Sequence, residues 1–127
     1  MTRVLLVGLA GALGTLARYG VGVWAEKAFG MTFPWGTLIV NVVGCFLMAF
    51  VSEVAMESAS ISPVMRLTLT TGFMGGLTTY SSFNYQTTEL LRGKAWAAGA
   101  ANLGGTLVLC LAAGVVGLVL ARRVTAS

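Results

Sequence analysis

Residues 70–85 read Thr-Thr-Gly-Phe-Met-Gly-Gly-Leu-Thr-Thr-Tyr-Ser-Ser-Phe-Asn-Tyr. This stretch of glycine, hydroxyl and aromatic residues lies inside an otherwise apolar chain, where lipid would not solvate it. The pattern predicts a broken helix that lines a site. Backbone without regular hydrogen bonding is tolerated at membrane depth only where protein or a water-filled path covers it. The segment is therefore the expected place of function.

The surrounding composition supplies the membrane. Apolar residues make up 57% of the 127-residue chain and charged residues only 9%, with no histidine; soluble domains carry ~25% charged residues. The mean hydropathy is +0.87. Four apolar stretches, roughly 4–23, 36–56, 64–91 and 96–121, reach the ~20 residues that a bilayer core requires. They occupy nearly the whole chain as a single four-span domain, so any chemistry is expected within or between the spans. No nucleic-acid partner is expected. The first run outlasts the ~7–15 residues of a secretory h-region and three further spans follow it, which argues against a signal peptide. Cys45 and Cys110 fall mid-span, where a small apolar thiol is the ordinary reading and no disulfide is needed.

Four spans place both termini and the loop between the second and third spans on one side, with Arg3, Arg66, Arg122 and Arg123. The other side carries Arg18, Lys27, Arg92 and Lys94, a count of four against four. Orientation normally follows a Lys/Arg excess in short cytoplasmic loops, and a tie gives no instruction. Insertion in both directions, and with it an antiparallel homodimer about an axis in the membrane plane, is one reading; chance in a small sample is the other.

Local signals punctuate the spans. Pro34 opens the second, and Ser62-Pro63 provides an N-cap and N1 pair for the third. Glu89, Arg92, Gly93 and Lys94 mark a polar turn before the fourth. In the first span Gly8 with Ala12 and Gly11 with Thr15 stand four apart, a spacing that lets helices approach closely.

Three polar stripes follow helical spacing: Thr37, Asn41, Gly44 and Met48 in the second span; Asn102, Thr106 and Cys110 in the fourth; Tyr80, Phe83, Asn84 and Thr87 after the break. Each stripe alone is compatible with interhelical hydrogen bonding. Their convergence on one broken helix favours a lined path. The first span holds no acidic residue, and Glu53 and Glu89 fall near span ends, where they are expected to face water. A proton-coupled transporter needs an intramembrane titrating group. Amide, hydroxyl and ring-edge donors suit an anion better, since an aromatic ring carries a positive edge. Arg18 either snorkels to an interface or holds anions near a pore mouth.

Gly75-Gly76-Leu77-Thr78-Thr79-Tyr80-Ser81-Ser82-Phe83 resembles the Gly-Gly-x-Thr-Thr-Phe-Ser-Thr-Phe signature of the Fluc (CrcB) family of small bacterial fluoride channels. Pro34-Trp35-Gly36-Thr37-Leu38 leading to Asn41 and Gly44, together with residues 14–18, extends the likeness over essentially the whole chain. The resemblance implies an all-α membrane protein that acts as a passive fluoride-selective channel and not as an enzyme. It would export fluoride across the bacterial cytoplasmic (inner) membrane as a dual-topology homodimer with two antiparallel pores. It also implies that Asn41, Tyr80 and Phe83 line the pores, that Ser81, Asn102, Thr106 and Cys110 add polar contacts, and that backbone carbonyls of Gly75 and Thr78 from both subunits hold a structural Na⁺ on the dimer axis. Tyr80 stands where the family usually has Phe, Ser82 replaces Thr, Gln86 replaces an acidic residue, and Asn102 lies near a position that is Tyr in some members. The small multidrug resistance antiporters resemble the chain in size and span number, but they rely on a first-span glutamate that is missing here. A small structural subunit is a third reading, one that leaves the break without a purpose.

Overall fold

The computed structural model describes residues 1–58 and 60–126, and within them only helices and turns. Helix α1 runs over Thr2–Phe29 and stops at Gly30, whose φ of 83° suits a residue without Cβ and whose N–H donates to the Glu26 carbonyl at 2.9 Å. Helix α2 spans Trp35–Glu57 after Pro34. Ser62 caps the next helix, α3 (Pro63–Leu67), accepting the Met65 N–H at 3.2 Å with Pro63 at the first turn, as the sequence predicts.

The third stretch then leaves regular geometry twice. Thr68–Met74 form a π-helical segment, in which the Thr68 and Thr70 hydroxyls donate back to the Val64 and Arg66 carbonyls, each at 2.8 Å. Such back-bonding bends helices, and π turns cluster where a helix is adapted to function. One short turn, α4 (Gly75–Leu77), follows before the chain extends at Thr78 and Thr79. Helix α5 (Tyr80–Arg92) resumes behind it. The break therefore falls at the two threonines, while Gly75 and Gly76 stay helical. Helix α6 (Trp96–Thr125) completes the chain.

Helices α1, α2 and α6 are each long and apolar enough to cross a membrane. Large apolar side chains such as Leu5, Leu9, Leu107 and Leu111 face outward, an arrangement that a water-soluble monomer avoids. Trp24, Phe29, Phe33 and Trp35 form a chain of ring contacts with centroids 4.7–5.6 Å apart at the α1–α2 turn. Aromatic belts of this kind sit at the membrane–water interface.

Two packing modes hold the helices. Against α1, glycines let backbones touch: a Cβ at Gly14 would strike the Phe73 carbonyl, and one at Gly76 would strike the Gly11 carbonyl. Gly8, expected from spacing to share this role, faces open space, whereas Gly11 lies at the contact. Val40, Met74 and Leu77 form the buried apolar cluster between α1, α2 and α4. The most extensive helix pair is α2 with α6. Gly114 sits against the Cys45 carbonyl, Gly117 against Phe46 and Arg122 against Glu53, so the two helices run parallel.

That register corrects the expectation for Glu53. Its side chain is only 11% exposed and binds Arg122 Nε at 2.8 Å, because parallel helices bring their like ends together. Glu89 does stay partly exposed, paired with Arg92 at 2.6 Å in the last turn of α5. The turn itself is Gly93-Lys94, and Lys94 rather than the glycine takes the positive φ of 61°. Arg18 lies eleven residues before the end of α1, about 16 Å along the helix. It is half-buried, so only Lys27, Arg92 and Lys94 remain at that end of the molecule.

Candidate functional site

The break is fixed by one amide. Asn41 on α2 donates from Nδ2 to the Thr79 carbonyl at 3.1 Å and accepts the Thr79 N–H on Oδ1 at 2.8 Å. This paired contact replaces the backbone partner that Thr79 lacks outside a helix, at a buried position where an unpaired group costs about 1–3 kcal/mol. Gly44, one turn along α2, gives the room: a Cβ there would strike the Thr78 side chain. Thr79 then caps α5, its hydroxyl accepting the Ser82 N–H at 3.2 Å. The Thr79 hydroxyl also meets those of Ser82 at 3.0 Å and Ser81 at 3.3 Å.

These contacts divert two backbone donors. In a continuous helix the Thr79 N–H would serve the Gly75 carbonyl and the Ser82 N–H the Thr78 carbonyl. Here they go to Asn41 Oδ1 and Thr79 Oγ1. The carbonyls of Gly75 and Thr78 thus lose their helical donors, and Gly75 lies exposed on the surface. Bare carbonyl oxygens are a ligand type that hard cations accept.

Beside the break, α2, α5 and α6 border an open cavity of about 840 Å³. Asn41, Thr78, Tyr80, Phe83, Thr106 and Cys110 all line it. Phe83 is buried, whereas Tyr80 is 78% exposed, with the two ring centroids 5.6 Å apart and the planes tilted by 57°. The Thr106 hydroxyl is buried with no hydrogen-bond partner. Gly44 and Met48 complete the second-helix stripe on the same wall, while Thr37 faces a separate cavity of about 320 Å³ at the α1–α2 turn.

Four residues singled out from sequence stand elsewhere. Asn102 is 1% exposed and lies behind the wall, donating from Nδ2 to Thr87 Oγ1 at 2.8 Å. Thr87 in turn donates to the Phe83 backbone carbonyl at 2.7 Å, so Asn102 ties α6 to the α5 backbone at Phe83, although its own Oδ1 has no partner. Ser81 is exposed next to the break without lining the cavity, and Gly75 lies on the near side of the break. Arg18 lines neither cavity; its Nε is enclosed and without a hydrogen bond. Of the stripe on α5, Phe83 and Thr87 are buried but Asn84 is exposed. Sequence reasoning missed Thr79, the residue on which the break turns. Its signal was available, as a Thr-x-x-Ser cap within the quoted stretch.

The wall sets hydroxyl, amide, thiol and aromatic groups among apolar residues such as Leu103, Leu107, Leu111 and Val115, and among the described residues no carboxylate lines it.

Comparison with known proteins agrees in length and order. The family described as CrcB-like protein, Camphor Resistance (CrcB), matches residues 5–118. A protein of Sorangium cellulosum named fluoride-specific ion channel FluC is 55% identical over 126 residues, covering 99% of both chains. Proteins of the same name from Anaeromyxobacter dehalogenans and Clostridium perfringens are 50% and 47% identical, covering 96% and 93% of this chain and 97% and 92% of theirs.

Proposed function

The chain belongs to the CrcB-like protein family, and from that premise we propose that it is a passive fluoride-selective channel, a multi-pass protein of the bacterial cytoplasmic membrane. The observation that carries the reading is the cavity beside the break, where Asn41, Thr78, Tyr80, Phe83, Thr106 and Cys110 converge. Fluoride entering it exchanges hydration for the free Thr106 hydroxyl, the remaining Asn41 N–H and the positive ring edges of Tyr80 and Phe83. Several weak sites in sequence allow passage, where one tight site would trap the ion. No bond to the ion is made or broken, and no enzyme activity is expected. A cation/proton antiporter would need a titrating acid on this wall, and the wall supplies none.

The cavity is open along the lipid-facing side, and Tyr80 projects from it. A second, antiparallel copy completes the wall in our reading, giving two pores of opposite direction per dimer. The near-balance of Lys and Arg between the two ends supports insertion in both orientations. Helix association in lipid gains little from the hydrophobic effect, so the dimer relies on packing and on polar contacts. The Gly75 and Thr78 carbonyls, without their helical donors, are of the oxygen type that would hold a structural Na⁺ shared between the two copies, where the ion would supply a fixed positive charge on the axis.

The test is efflux from liposomes containing the purified protein, with fluoride and chloride followed separately by ion-selective electrodes at a potential set by valinomycin and K⁺. Rapid fluoride loss with chloride retained is expected. Retention of both anions by well-folded protein overturns the proposal.

A further inference from the structure

Helices α5 and α6 pack antiparallel across the short turn at Gly93-Lys94, and two contacts set their register. Next to the turn, a Cβ on Gly99 would strike the Leu91 side chain. One helical turn back along α5, Thr87 meets Asn102. One turn further, the same register brings Phe83 level with Thr106. Both of these line the open cavity, whereas Asn102 and Thr87 do not. The Asn102–Thr87 pair is thus the layer of packing that adjoins the wall.

The Thr87 hydroxyl has one proton, and it goes to the Phe83 backbone carbonyl at 2.7 Å. Its oxygen can then only accept, so Asn102 must present Nδ2 to it, as it does at 2.8 Å. No other side-chain hydrogen bond joins α5 to α6 among the described residues. The same arrangement leaves Asn102 Oδ1 buried without a partner. An amide that is 1% exposed and half satisfied adds little to stability, because the unmade bond offsets the one that is made. Leucine has the same side-chain skeleton and would leave no polar atom unpaired, since Thr87 would keep its bond to Phe83. What only the amide supplies is a directional tie between the two helices. We propose that Asn102 is a positioning residue for conduction: through Thr87 it holds the turn of α5 that carries Phe83 at a set distance from Thr106 across the wall. The role rests on the channel reading, and it differs from that of a lining residue in that Asn102 acts without touching the ion.

The test compares full-length wild type with Asn102→Leu, Thr87→Val, Thr87→Ser and the double variant Asn102→Leu/Thr87→Val. Melting temperature is measured in detergent, and fluoride efflux from liposomes is measured per folded protein. Asn102→Leu should melt within a few degrees of wild type yet lose roughly tenfold in efflux, the effect of misplacing one weak contact to the ion. Thr87→Val strands Asn102 Nδ2, so it should lose both stability and efflux. In the double variant stability should return while efflux stays as low as in either single variant, a separation that a merely structural role would not produce. Thr87→Ser keeps the hydroxyl and should keep wild-type efflux. Losses that multiply in the double variant mean two independent contributions and overturn the proposal. Normal efflux in Asn102→Leu overturns it too, as does normal efflux in folded Thr87→Val beside a loss in Asn102→Leu, which would put Asn102 on the ion itself. Should Asn102→Leu fail to fold, the contrast between Thr87→Val and Thr87→Ser breaks the same tie from the α5 side. ¹⁹F NMR of a 4-fluorophenylalanine in place of Phe83 separates this claim from the channel reading. A resonance shifted or broadened by Asn102→Leu, in protein that passes no fluoride, contradicts the channel reading alone, and an unmoved resonance overturns the tie.

Discussion

The two sides of this small bundle are built on opposite principles. Along α1 the third stretch approaches until backbone meets backbone, with Gly14 under the Phe73 carbonyl and Gly76 under that of Gly11. Between α2, α5 and α6 the same chain leaves a cavity of about 840 Å³, with the Thr106 hydroxyl unpaired on its wall. One side packs backbone against backbone and serves as a scaffold. The other holds polar atoms that no neighbour in the chain uses, and such atoms await a ligand or a partner. Asn41 joins the two, since it clamps the break from α2 while facing the cavity.

The sharpest way to break this contrast is to fill the scaffold. Gly76→Val places a branched side chain against the Gly11 carbonyl, and the backbone cannot yield as a side chain could. Little folded protein should be recovered in detergent, as read by size-exclusion chromatography. A normal yield and thermal stability would show that the α1 contact is not the rigid half.

Next in size comes the joint. Asn41→Leu removes both hydrogen bonds to Thr79 and leaves two buried backbone groups unpaired, at roughly 1–3 kcal/mol each. The melting temperature and fluoride efflux should fall together. A stable variant with normal efflux would detach Asn41 from both halves.

On the open side, Thr106→Val should act in the opposite sense. It removes a buried hydroxyl that has no partner, so stability should hold or rise. Efflux should slow by about tenfold, the equivalent of one lost hydrogen bond of roughly 1.4 kcal/mol to the passing ion. Unchanged efflux would take Thr106 out of the path. Smallest of all is Tyr80→Phe, which keeps the ring edge and should leave efflux within about twofold of wild type. Loss of transport would assign the work to the hydroxyl.

Much of this was legible in the chain because it was local. The Ser62-Pro63 cap, the four helical stretches and the irregularity of residues 70–85 all follow from neighbours within a few positions. Within that stretch the break falls at Thr78-Thr79, while Gly72 and Gly76 serve the close approach to α1. Pairings across sequence were not legible. Asn41 meets a backbone group 38 residues away and Glu53 an arginine 69 residues away, and helical periodicity names a face without naming what it meets. For the same reason Asn102, read as part of a lining stripe, proves to tie α6 through Thr87 to the α5 backbone at Phe83, behind the wall.

The central claim is that the unfilled side of the bundle conducts fluoride past the Phe83 ring. It is tested most directly by reconstituting wild-type and Phe83→Ile protein side by side and following fluoride efflux from matched liposomes. Ile keeps an apolar side chain but has no ring edge. The account predicts a variant that folds and elutes like wild type while losing most of its fluoride efflux. Wild-type rates in that variant would contradict it, and the ring would then have no part in the path.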